Sequence, residues 1–195
     1  RRVLFRSLNQ KIYRRKPSFP IKPVEEFVLT KNCRNTRHIH SVVRPLFAGV
    51  DLDAPEIEGL PVKWHQRETR TQQVDTVRNL AVELLRDPAL AAEQIVILVF
   101  NRALLTEFEC ALAGKKLPGA RRFSTSPEPS KNTVRVLTAA RFKGLECGIA
   151  IVVGLDGDKN AEYLANLYVA VSRPRNDLHL IADTPTATEL RRLLG

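Results

Sequence analysis

The chain has 195 residues, with 31 lysines and arginines against 21 aspartates and glutamates, which gives a formal net charge of +10. This length suits one domain that buries about 70% of its unfolded surface, and the charge favours a polyanionic partner such as nucleic acid or nucleotide phosphates. No apolar run approaches the length of a membrane span and no signal peptide is recognisable. We therefore expect a cytoplasmic protein without a membrane partner.

The beginning of the chain differs from the rest. Residues 1–7, RRVLFRS, match the translation of a common sequencing adapter, so we interpret them as a non-native leader, with the natural upstream sequence missing. Residues 8–23 are basic and interrupted by prolines, and aromatic residues lie among the cations. Bases can stack on such rings while phosphates meet the cations, which suits single-stranded nucleic acid. A solvated basic linker would have the same composition.

The cysteines show no pattern of a disulfide framework or a metal site. Cys33, Cys110 and Cys147 are odd in number and lie far apart, without a CxxC pair. Isolated cysteines of this kind are typical of reduced thiols. His38 and His40 lie near Cys33, but their spacing does not match a zinc motif. We predict no metal ligands.

The first periodic segment contains an arginine at a turn. Residues 27–30 are predicted to form a strand, and a helix with one apolar face follows KNCRNT, capped by Asn35 or Thr36. Arg34 would then lie at a strand-to-helix turn, where open parallel sheets bind ligands. From position alone, a surface ion pair is the simpler explanation of Arg34.

Helical and strand patterns alternate through the rest of the chain. Residues 115–132 are predicted to be a basic loop, and the Asp156–Asp158 turn to cap the helix that follows it. The predicted strands are 63–65, 95–100, 134–139 and 149–155, and the predicted helices are 71–86, 104–114, 164–171 and 186–194.

A second arginine turn lies in NLYVAVSRPRNDLHLIAD, residues 166–183. The helix is expected to end at Pro174, with a turn over 175–177 and a strand over 178–182. Arg173 would emerge at a rigid corner, which suits contact with phosphate. An ion pair with Asp177 or Asp183 is the alternative.

The alternation predicts an α/β fold with a wound, mostly parallel sheet, and right-handed crossovers are expected to place the arginine turns and KGLE at the carboxyl edge of that sheet. The sequence lacks GxxxxGK[ST] and an acidic strand end for magnesium. It thus has arginines that can contact phosphate but no loop that holds phosphate. One half of a two-lobed motor would have this composition.

Four segments in order, NQKIY, LTKNCRNTRHIH, VRVLTAARFKGLE and LYVAVSR, resemble motifs of superfamily 1 helicases of the UvrD/Rep type. The resemblance implies a RecA-like second motor domain of the P-loop NTPase type over residues 24–195, with residues 8–23 ending the first motor domain. It implies an ATP-dependent DNA helicase or translocase in which ATP and Mg²⁺ are bound mainly by a missing upstream domain of the same polypeptide. The piece alone is expected to be inactive.

The resemblance also implies residue roles at the nucleotide. Gln10 senses the γ-phosphate, and Arg34 and Arg173 reach it as arginine fingers. Glu146 contacts the ribose. The ATP-binding set is completed by Lys143, Gly144 and Cys33.

On the nucleic-acid side, the resemblance implies that Tyr13 stacks on a base of single-stranded DNA. Thr138 and its neighbours contact the strand backbone. The other members of this set are Arg15, Asn101, Arg102 and Ala140.

The chain departs from the family pattern at several positions. Cys33 stands where the family has a tyrosine that stacks on adenine, Ala140 replaces a histidine, and Arg15 replaces a tryptophan. The interval between Arg34 and Thr138 is too short for the large helical insertion of UvrD and Rep, so we expect a compact branch. A helix-capping role for Glu146 and a plain strand hydroxyl for Thr138 stay open. A RecA-like nucleic-acid binding or regulatory module without hydrolysis also stays open.

Overall fold

The computed structural model of the chain describes residues 34–47 and 53–195. Within them, six strands form one sheet that is covered by helices on both faces. In chain order the elements are α1 (Arg37–Val43), β1 (Lys63–Gln66), α2 (Arg70–Leu84), β2 (Ile95–Val99), α3 (Arg102–Leu112), β3 (Arg122–Ser124), β4 (Thr133–Thr138), β5 (Cys147–Val153), α4 (Ala161–Val171), β6 (Pro174–Ala182) and α5 (Thr184–Leu194).

The sheet has the order β1-β6-β5-β2-β4-β3, and every strand pairing is parallel. Because the strands are parallel, they all begin at one edge of the sheet, the amino edge, and end at the opposite one, the carboxyl edge. The central strands β2 and β5 are buried along their whole length, as continuous apolar sequences predict. The predicted fold class, a wound α/β sheet, is confirmed.

Each face of the sheet has its own apolar core. Side chains of a strand alternate between faces, so Val96 and Leu98 pack with α1, α4 and α5, whereas Ile97 and Val99 pack with α2 and α3. The sheet is therefore packed against helices on both of its faces.

Side-chain caps begin most of the longer helices. Thr69 and Gln72 form a capping box at α2, and Asn101, Asn160 and Asp183 each accept a hydrogen bond from an amide of the first turn of α3, α4 and α5. The prediction that the Asp156–Asp158 turn caps α4 is therefore wrong, since Asn160 does so.

The structure corrects two further sequence predictions. The predicted loop 115–132 contains the edge strand β3, which has three residues and is too short to show a strand periodicity. The predicted turn over 175–177 is part of β6, which begins at Pro174. The sequence does not predict the first residues of this strand because they are polar. Asp177 is nevertheless buried, since it contacts the polar side chains of Lys63 and His179. The predicted strand 27–30 lies outside the described residues.

Candidate functional site

Three segments that are far apart in sequence meet at the amino edge of the sheet. They are residues 34–35 before α1, residues 145–147 at the start of β5, and residues 172–174 between α4 and β6. We call Arg34, Asn35, Glu146, Ser172 and Arg173 the amino-edge cluster. The predicted position of KGLE and the arginine turns at the carboxyl edge is wrong, because Glu146 and Arg173 directly precede strands β5 and β6 instead of following strands.

Arg34 and Glu146 form an ion pair at the surface. Arg34 Nε donates to Glu146 Oε1 at 2.5 Å, and the two side chains are 43% and 42% exposed. An ion pair with this exposure contributes about 0–1 kcal/mol. An incoming anion could therefore replace Glu146 at little energetic cost. A helix-capping role for Glu146 is excluded, since a strand follows it.

Asn35 joins the first segment to the third. The residue is only 6% exposed, and Nδ2 donates to the carbonyl oxygens of Pro174 at 2.6 Å and Ser172 at 3.3 Å. The sequence suggested Asn35 or Thr36 as the cap of α1. Thr36 is the N-cap residue, although its side chain makes no capping hydrogen bond.

The guanidinium of Arg173 is folded back into the protein. Arg173 is 2% exposed, and it donates from Nε to Val169 O at 3.2 Å, from Nη2 to Ser172 Oγ at 3.0 Å and from Nη1 to Leu145 O at 3.5 Å. The prediction that Arg173 emerges from its corner is thus wrong for this conformation. Burial lowers the pKa of Arg173 below its ordinary value, and the positive charge of Arg34 lowers it further.

The alternative ion pairs of Arg173 are not formed either. Asp177 contacts Lys63 and His179, and Asp183 caps α5. Arg173 is instead linked to the start of β5 by its bond to Leu145 and by a second bond, from Cys147 N to Arg173 O at 3.3 Å. The cluster therefore has two arginines and one carboxylate, a composition that favours an anion.

Burial raises the pKa of the Cys147 thiol to about 12, and the nearby charges of Arg135, Arg173 and Arg175 only partly oppose this effect. The buried thiol is therefore protonated at neutral pH. Cys110 is also a free cysteine.

Lys143 and Gly144 lie between β4 and β5 and complete the part of the predicted ATP-binding set that the structure describes. Lys143 is half-buried, whereas Gly144 is exposed and has a φ of +84°, which favours glycine. Gln10, Tyr13, Arg15 and Cys33 lie outside the described residues.

The four predicted nucleic-acid residues that the structure describes lie at the carboxyl edge. Asn101 follows β2 and Thr138 ends the neighbouring strand β4. Asn101 Oδ1 accepts from Leu104 N at 2.9 Å, and the buried Thr138 hydroxyl accepts from Arg141 N at 3.3 Å. Both therefore stabilise local turns. The other two described members of the set are the exposed Arg102 and the half-buried Ala140.

A polar group that the sequence analysis missed joins β1 to β6. Asp177 Oδ2 accepts from Lys63 Nζ at 2.9 Å and lies 3.1 Å from His179 Nε2, while His179 Nδ1 lies 3.1 Å from His65 Nε2. Burial alone would raise the pKa of Asp177, but the hydrogen bonds with His179 and Lys63 lower it overall. Burial and the neighbouring cations lower the pKa of His65 to about 4.

Within the part of the chain that the structure describes, no cluster of His, Cys, Asp or Glu is arranged to hold a metal ion. Among these same residues, no helix is long and apolar enough to cross a membrane.

The structure is a wound, all-parallel α/β domain, and the same fold occurs in a known protein. The chain is similar to the C-terminal domain of a possible DNA helicase from Lactobacillus plantarum WCFS1, with a TM-score of 0.63 and 17% identity. The match covers 83% of this chain and 95% of that one. At this identity the similarity shows the fold alone, and it agrees with the predicted RecA-like class. No family model and no curated protein match the chain.

Proposed function

We propose that the chain is the C-terminal motor half of an ATP-dependent DNA helicase or translocase of superfamily 1. The amino-edge cluster is the observation that carries this proposal, because the fold brings Arg34, Glu146 and Arg173 together from three distant segments. The resemblance to superfamily 1 helicases assigns each of these residues to the nucleotide. The fold shared with the C-terminal domain of a possible DNA helicase supports the proposal.

In this function, the phosphate cradle and the Mg²⁺ ligands belong to an upstream lobe of the same polypeptide, and the amino edge faces the cleft between the lobes. Arg34 exchanges Glu146 for an oxygen of the γ-phosphate and stabilises the charge that develops there. Arg34 is the better placed finger, because it is half-exposed whereas Arg173 is buried. Arg173 either rotates outward on lobe closure or holds the start of β5 in place.

The carboxyl edge supplies part of the path for single-stranded DNA. Arg102 is exposed at the start of α3 and can contact a phosphate. Asn101 and Thr138 fix the turns that shape this surface. Closure around ATP at one edge and strand contact at the other edge would make the two events interdependent.

The test is ATP hydrolysis by the longer protein that includes the upstream lobe, with and without single-stranded DNA. Arg34→Ala should lower DNA-stimulated turnover by about 10³-fold, as loss of an arginine finger does. Arg192→Ala removes the same charge from an exposed position of α5 and is the matched control. Equal turnover of the two variants would show that Arg34 is not a finger.

The second candidate is a RecA-like nucleic-acid binding or regulatory module without hydrolysis. The inward position of Arg173 favours it, because the guanidinium already has three protein acceptors. Tight, salt-sensitive binding of single-stranded DNA without turnover in the same assay would support this module.

A further inference from the structure

We infer that Asn35 is a positioning residue of the amino-edge cluster, which sets the spacing between Arg34 and the Arg173 turn. The inference rests on the proposed function, because it gives Asn35 its role through these two arginines. It is carried by the two hydrogen bonds of Asn35 Nδ2, whose acceptors are the carbonyls of Ser172 and Pro174, the residues on either side of Arg173.

Two bonds from one nitrogen hold the backbone on both sides of Arg173. The Ser172 carbonyl belongs to the peptide group that joins Ser172 to Arg173. The Pro174 carbonyl belongs to the peptide group that follows Pro174, on the other side of Arg173. Asn35 is also adjacent to Arg34 in the chain, so only one peptide bond separates this clamp from the Arg34 backbone. The Asn35 side chain therefore restrains the positions of both arginines.

Asparagine is well suited to this place. Its amide nitrogen carries two hydrogens and can serve two carbonyls at once, whereas a hydroxyl has one hydrogen and an ionised aspartate has none. The site is buried, so water does not compete for these bonds. An uncharged side chain also leaves the positive charge of the cluster unchanged.

Asn35 is not required to begin α1. Thr36 is the N-cap, and the first amides of the helix are satisfied by backbone carbonyls of the segment before β1, with Arg37 N bonded to Ile57 O at 2.7 Å and His38 N to Glu58 O at 3.4 Å. The amide nitrogen of Asn35 therefore serves the cluster, since a donor cannot cap the amides at the start of a helix.

The clamp matters most when an anion is bound. Arg34 is joined to the rest of the cluster at the surface by Glu146, and a phosphate that binds Arg34 takes the place of this carboxylate. The Asn35 bonds to Ser172 O and Pro174 O do not involve Glu146 and persist after the exchange. They keep Arg34 beside the Arg173 turn in the bound state.

The experiment measures binding of inorganic tripolyphosphate to this chain by calorimetry, together with the thermal midpoint of unfolding. Wild type should bind, Arg34→Ala should lose most of the affinity, and Asn35→Ala should bind about three- to tenfold more weakly, the effect of losing buried hydrogen bonds. Tyr163→Phe is the matched control, since it removes a buried bond of 2.7 Å to Leu155 O at the carboxyl edge. It should lower the unfolding midpoint while leaving tripolyphosphate affinity unchanged.

The outcomes separate the inference from the proposed function. No binding by wild type, or equal binding by Arg34→Ala, would overturn the phosphate site and with it the inference. If Arg34→Ala loses affinity but Asn35→Ala binds like Tyr163→Phe, the positioning role is overturned while the site stands. Should Asn35→Ala fail to fold, Asn35→Ser decides: its single hydroxyl donor should give an intermediate affinity, and wild-type affinity would contradict the clamp.

Discussion

The two edges of the sheet differ in how their polar residues are held. At the amino edge, the side chains of Arg34, Asn35 and Arg173 bond to segments that come from other parts of the fold. At the carboxyl edge, the predicted site residues Asn101 and Thr138 bond to amides three residues further along the chain, and the long-range contacts of that edge are made by other residues, such as Arg70 with Asp156. The long-range bonds of the amino edge are the stronger indication of a site, because a bond to an amide three residues along the chain is common in any turn or helix start.

The largest expected difference between the edges concerns two glycines with positive φ. A Cβ at Gly59 (φ +73°) would lie 2.4 Å from Thr36 Cβ, whereas at Gly154 (φ +73°) its nearest neighbour would be the flexible Leu104 Cδ1. Gly59→Ala should therefore lower the free energy of unfolding by about 2–4 kcal/mol. Gly154→Ala should lower it by about 1–2 kcal/mol, because Leu104 can move. Denaturant titration of both variants checks the order, and a reversed order would contradict the tighter packing near the amino edge.

A second prediction concerns the carboxylate that pairs with Arg34. Glu146→Gln keeps the shape of the side chain but removes the charge that competes with phosphate. Tripolyphosphate should bind about two- to fivefold more tightly, because an exposed ion pair that contributes up to about 1 kcal/mol no longer has to be broken. Glu107→Gln is the control, because Glu107 pairs with Arg70 and not with Arg34, and it should leave the affinity unchanged. Weaker binding by Glu146→Gln would mean that Glu146 does not compete.

The third prediction concerns the pH dependence of stability that His65, on the edge strand β1, should cause. The pKa of His65 is about 4 in the folded chain, below its ordinary value of 6.5. The unfolded chain therefore binds the proton first, and the free energy of unfolding should fall as the pH decreases from 6.5 towards 4. The loss should be about 1 kcal/mol after allowance for the half-exposed ring.

His65→Gln should flatten the pH dependence of stability between pH 6.5 and 4, as measured by urea titration at each pH. An Arg70→Ala variant should retain the wild-type slope, because Arg70 forms its ion pairs with Asp156 and Glu107 and not with His65. A slope that survives in His65→Gln would assign the titration to another group.

The smallest effect is expected from the ion pairs of the carboxyl edge. Arg70 Nη2 lies 3.2 Å from Asp156 Oδ1, and Nε lies 3.7 Å from Glu107 Oε1. Because both carboxylates are half-exposed, Arg70→Ala should lower the free energy of unfolding by about 0.5–1 kcal/mol, and by less at high salt. Denaturant titration at low and high salt checks this, and tripolyphosphate binding should not change. A loss of tripolyphosphate affinity would show that the Arg70 ion pairs contribute to the amino-edge cluster.

Much of the fold could be predicted because its central strands are continuous apolar sequences. β2 and β5 are buried on both faces, and their sequences, IVILV and CGIAIVV, have no charged or strongly polar residue. The amino half of β6 could not be recognised, because the burial of Asp177 depends on Lys63, more than a hundred residues away. β3 is too short for any periodicity to appear.

The candidate site could be predicted only in part. Resemblance indicated Arg34, Glu146 and Arg173, and the fold brings these residues together. The burial of Arg173 could not be foreseen, since it depends on the carbonyls of Val169 and Leu145. Asn35 was missed because its acceptors lie 137 and 139 residues further along the chain.

The segment between β4 and β5 has a mechanical consequence. In the strand register, Thr138 at the end of β4 is aligned with Val99 and Val153, at the carboxyl edge. The segment of eight residues, 139–146, must therefore run about 20 Å back along the strands to reach Cys147 at the amino edge. Several of them form turns and Phe142, near the middle, is fully buried, so the segment has little slack. We therefore expect a displacement of Glu146 at the amino edge to shift Ala140 at the carboxyl edge, because the buried Phe142 ring holds the middle of the segment.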